Sequence, residues 1–106
     1  MRNLNSKKAK KELGRLISDI TTNLHWANEY FLSIDNDDYD SENYHFSKLC
    51  FYAYRKNQIR LFEEFGISYY SVESSMLDVM NDKDEILRDH EQAYQDWQKA
   101  KQKEVA

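Results

Sequence analysis

The 106-residue chain contains no Pro and only two Gly, Gly14 and Gly66. It therefore has almost none of the residues that close tight turns between short strands, which excludes a sandwich or barrel. Long, uninterrupted helices remain. At 100° per residue, Ala9, Leu13, Leu16, Ile17, Ile20, Leu24, Ala27, Phe31 and Ile34 fall within one arc of about 100°. With Ser6 as N-cap, this stripe predicts a first helix over residues 6–34, ended by the run Asp35, Asn36, Asp37, Asp38, Tyr39, Asp40.

A second helix is predicted over 41–65, with Asp40 or Ser41 as its cap. It stops at Gly66, which can take the left-handed conformation of a C-cap, with Ile67 placed for the accompanying apolar contact. Its pattern differs from that of the first. Tyr44, Cys50, Phe51, Tyr54, Leu61, Phe62 and Phe65 fill one arc, and Leu49, Tyr52, Ala53 and Ile59 spread over another. A helix apolar on two sides is either the centre of the fold or the neighbour of another molecule. The third segment carries Val72, Met76, Val79, Ile86, Leu87, Ala93, Tyr94 and Trp97 in unbroken phase, which predicts one helix over 71–103. It is kinked at most near Asn81, where Asp82 and Glu85 resemble a capping box. The expected fold is all-α: one domain over 1–106, three long helices in an antiparallel up-down-up bundle.

Eighteen Leu, Ile and Val face eight Tyr, five Phe and two Trp. That ratio predicts an aromatic-rich core with many rings half in and half out of water, and it favours self-association. Charge is segregated: residues 1–15 and 47–70 are net basic, while 16–46 and 71–96 are net acidic within an overall charge of −4. Complementary segments could meet within one chain or between copies. A mean hydropathy of −0.92 and a Lys-rich start without an apolar run predict a cytoplasmic chain with no membrane partner.

Few groups can carry chemistry. Asp35, Asp37 and Tyr39 begin like a calcium loop, but Asp40 stands where the turn Gly is needed and Phe46 where the bidentate Glu belongs. Glu42 and His45 have the spacing of a di-iron ligand pair without its second copy, and His25 and Glu29 lack a third ligand for zinc. Cys50 is a lone thiol on an apolar arc. The sequence thus predicts no catalysis, metal, cofactor or small-molecule substrate. What it offers is surface. Trp26 and Tyr30 lie on the flank of helix one, and Tyr52, Tyr54, Arg55 and Lys56 interleave rings with positive charge on helix two. These six are the candidate partner-binding residues of a protein–protein interaction module, an adaptor, small subunit or inhibitor. The alternative is a nucleic-acid-binding accessory protein that uses the same aromatic and basic stretch. His90 interrupts the third stripe and is a candidate pH-sensitive interface residue.

Overall fold

A computed structural model describes residues 3–68 and 73–105, and every element among them is helical. Helix α1 spans Lys7–Asp35, α2 Glu42–Phe65, α3 Glu73–Asn81 and α4 Lys83–Val105. The local signals act where the sequence puts them. The Ser6 hydroxyl accepts from the Ala9 amide, and the Ser41 hydroxyl accepts from the Tyr44 amide at 3.1 Å. Gly66 ends α2 with φ 67°, donating to Phe62, while the Ile67 amide reaches back to Leu61. A side chain at that φ is strained, so only glycine closes this end without cost. In the α1–α2 turn, the Asp38 carboxylate accepts from the Asp40 and Ser41 amides and the Ser41 hydroxyl. These bonds, Ser41's above all, hold its pKa below the usual carboxylate range.

The single third helix of the sequence reading is corrected to two. Asp82 interrupts the segment, because Asn and Asp compete for backbone bonds and favour caps. Helical bonding nevertheless bridges the break: the Asp82 amide donates to Asp78, and the Ile86 amide donates to Asp82. Val79, Ile86, Ala93 and Ala100, seven residues apart, are all buried, so the apolar phase survives. The predicted start at Ser71, and Val72 in the stripe, lie outside the described residues.

Helix α2 is the middle layer. Ala9, Leu16 and Ile20 of α1 close one core with Leu61 and Phe65 of α2. On the other side of α2, Ile59 closes a second core with Met76, Val79 and Ile86. The Asn43–Ser33 bond pairs the start of α2 with the end of α1. Lys83–Glu63 pairs the start of α4 with the end of α2. Both neighbours therefore run antiparallel to it. Helices α1 and α4 pack on α2 and form no substantial interface with each other. Helix α2 thus lies between its two neighbours, in a body with overall extents of 48 × 29 × 22 Å.

That arrangement corrects two expectations. The fully buried set is aliphatic, with Phe65 as the single buried ring among the described residues. Two separate helix–helix seams are narrow, so small and branched side chains fill them and the rings lie along their margins. Nor does the stripe of α1 lie wholly inside. Ile17, Leu24 and Phe31 are 43%, 41% and 49% exposed, because α2 covers only one side of that stripe and α4 does not reach it.

Candidate interaction surface

The rings sort into two connected sets. Phe46 and Phe51, which anchor them on α2, are five residues and therefore about 140° apart around the helix, so the sets leave α2 in different directions. In the first, Tyr30 packs at 5.5–5.7 Å from Phe31, Tyr44 and Phe51, with Tyr39 and Tyr52 at its ends. In the second, Trp26 meets Phe46 at 5.7 Å, Phe46 meets Trp97 at 5.6 Å, and Trp97 meets Tyr94 at 6.2 Å. This second band crosses all three long helices. Its ends are open, with Trp26 40% and Tyr94 44% exposed, and the Lys101 ammonium sits 4.9 Å from the Trp97 ring centre.

The six residues chosen from the sequence are divided by this geometry. Trp26 belongs to the second band. Tyr30 and Tyr52 belong to the first, and burial raises both hydroxyl pKa values; Tyr44 and Tyr52 add to the effect on Tyr30, and Asp89 to that on Tyr52. Tyr54 packs against the α1–α2 core, its hydroxyl accepting from Gln58 Nε2 at 3.2 Å. Arg55 lies over Phe51 at 5.7 Å, in a recess it shares with Asp82, Glu85 and Asp89. Lys56 is half-buried, with its charge felt at His90 across the α2–α4 seam. Arg55 and Lys56 therefore do not form one basic patch. Lys48 supplies the second cation beside Arg55, 5.8 Å from the Tyr44 ring.

His90 is half-buried. Its pKa is lowered by burial first and the Lys56 charge second, against a smaller opposing effect of Glu91. Cys50 is buried, and desolvation pushes its thiol up to about 11. Such a thiol is protonated at neutral pH and is a poor nucleophile. Among the described residues, no group of three or more His, Cys, Asp or Glu is placed to hold a metal ion, and no helix is long and apolar enough to cross a membrane.

Sequence reasoning missed Phe46, Trp97 and Tyr94 as members of a ring band, placing the last two in a core stripe. Their spacing is that of a packed helix face, and it is partly one: Phe46 and Trp97 are half-buried, with the Trp97 indole Nε1 buried and without a hydrogen-bond partner, and Tyr94 is exposed. That the face is left half-covered depends on where the other helices lie, which no local pattern encodes. No protein-family model, curated protein or solved structure matches the chain.

Proposed function

We propose that the chain is a non-catalytic protein–protein interaction module and that the band Trp26, Phe46, Trp97, Tyr94 is its binding surface. The observation that carries the reading is the continuity of four rings over three helices, with both ends exposed. Large, rigid aromatic side chains supply much contact area at low entropy cost, and such residues dominate interface energetics. The rings bridge the α1–α2 and α2–α4 seams, and Lys101 offers a cation at the rim. Affinity capture from native lysate tests the reading with three baits: wild type, a Trp26→Ala/Tyr94→Ala variant, and Leu77→Ala as an exposed control on α3. A specific prey should bind at least about tenfold more weakly to the double variant and unchanged to the control. Equal capture by all three baits, or no specific prey, refutes it.

A second reading is favoured by Lys48 and Arg55 over the rings of Tyr44 and Phe51, an arrangement suited to stacking bases and tracking phosphates. The carboxylates of Asp82, Glu85 and Asp89 around Arg55 weigh against it. Binding of a single-stranded oligonucleotide at about 50 mM salt, lost in Lys48→Ala/Arg55→Ala, would support it; no binding at that salt eliminates it.

A further inference from the structure

The charges of α1 run against its own dipole. Its first turn has no acidic residue and its last turn no basic one. Instead Lys7, Lys8, Lys10 and Lys11 crowd the positive N-terminal end, and Asp35 lies at the negative C-terminal end with Asp37 just beyond it. Each end thus carries the unfavourable sign. All six of these side chains are exposed, and the ion pairs formed by described residues, Arg60–Glu64 and Lys83–Glu63, involve none of them. Asp40, by contrast, shares a recess with Lys99 and Lys103 of α4.

Between these ends runs an outward seam. Gly14, Ile17, Thr21, Leu24, Asn28 and Phe31 recur at alternating spacings of three and four, the spacing of a coiled-coil contact, and all six are exposed. The two polar members with side chains suit burial. The Thr21 hydroxyl already donates to the Ile17 carbonyl at 3.0 Å, and a single Asn in such a seam commonly sets register. A side chain added at Gly14 would meet nothing within 4 Å, so a neighbour's ring has room above it.

We infer that this face of α1 pairs with the same face of a second copy, antiparallel, about a two-fold axis crossing the helix between Thr21 and Leu24. Pairing positions whose numbers sum to 45 sets Phe31 of one copy over Gly14 of the other, and Leu24 beside Thr21. The same register brings Lys10 opposite Asp35, twice per dimer, since these two residues continue the seam by one four-residue step at either end. One operation thus buries the apolar row, pairs Lys10 with Asp35 at either end and opposes the two helix dipoles. A parallel pairing would set lysines on lysines, and an unrelated apolar helix would leave the charges unanswered. The contact is isologous and closes at two copies. It lies apart from the ring band and does not depend on the function proposed for that band.

The test is sedimentation equilibrium of the full chain at about 1–200 μM and low salt, where exposed charge pairs are least screened. Wild type should dimerise, and Leu24→Glu should weaken the dimer about thirtyfold or more with helix content unchanged, since each dimer holds two altered sites. Lys10→Glu and Asp35→Lys should each weaken their homodimers by setting like charges opposite. An equimolar mixture of the two should associate at wild-type strength, because both charge pairs are then restored. A monomeric wild type over the whole range overturns the inference and leaves the ring-band reading standing. A dimer that is indifferent to Leu24→Glu, or two charge variants that fail to rescue each other, also overturns it, by placing the contact elsewhere.

Discussion

Gln58 is the most deeply buried polar side chain capable of four hydrogen bonds. It is 0% exposed, beside the α1–α2 seam. Its Nε2 donates to the Tyr54 hydroxyl at 3.2 Å, while its buried Oε1 has no partner. An unpaired buried acceptor costs about 1–3 kcal/mol, and one neutral hydrogen bond contributes about 0.5–1.5 kcal/mol. Replacing the amide with the unbranched, similarly sized thioether of Met removes both terms and keeps a good helix former. The expected result is that Gln58→Met stabilises the fold by about 1 kcal/mol, equivalent to about 4–8 °C in Tm for a chain near this size. Gln58→Glu should act in the opposite sense by about 3 kcal/mol or more at neutral pH, because the new charge has no buried partner. Urea unfolding followed by circular dichroism measures both. The m-value should stay constant, showing that the folded states are comparably compact. A Gln58→Met protein less stable by more than about 1 kcal/mol, with m unchanged, refutes the reasoning: Oε1 would then be satisfied in solution by a water held in the seam.

Gly66→Ala should cost about 1 kcal/mol in the same assay, because φ 67° must be held by a residue with a Cβ; no loss would mean that the α2 terminus refolds around it. The Cys50 thiol, pushed up to about 11 by burial, should react with an aromatic disulfide in the native state far more slowly than in urea. Equal rates would show that the seam opens readily. For His90 the folded pKa lies below the unfolded value, so the fold favours the neutral ring. Its contribution is complete above about pH 6.5 and is lost as pH falls through the unfolded value toward the folded one. Wild type should therefore lose stability relative to His90→Gln between about pH 7 and pH 5, and parallel pH profiles would refute it.

What was legible in the sequence was local. Ser6, Ser41 and Gly66 act through bonds to residues within one or two turns, so their chemistry fixes helix ends whatever the rest of the chain does. The phase of the third stripe was equally readable, and it survives the break at Asp82 because Val79 and Ile86 keep the same side toward α2. The break itself was read as a kink, since a capping pattern and an unbroken stripe give opposite advice and the backbone follows both. Arg55 and Lys56 looked like one patch because they are neighbours in sequence, yet consecutive helical positions diverge by about 100°. Their separation onto a ring face and a seam needed to be seen in three dimensions.

Helix α2 offered two apolar sides, and its own residues could not reveal whether α4 or another molecule covers the second. In the fold, Ile59 and Leu61 answer that question with neighbours from the same chain, each 1% exposed. The need for a partner therefore does not arise on α2. The apolar surface left uncovered lies one helix out, on α1. With α1 and α4 packed on α2 and not on each other, the central helix is covered on both sides and each flanking helix on one, so apolar residues at the margins of the α1 stripe come to the surface. Ile17, Leu24 and Phe31 are in that position, and in the pairing proposed above the end charges of α1 supply what a merely incomplete core would not: a direction and a register. At Ile17 and Leu24 a chain that needed only to fold could hold polar residues at less cost than in either seam, whereas Phe31 also packs edge-on against Phe51 of α2 at 5.6 Å.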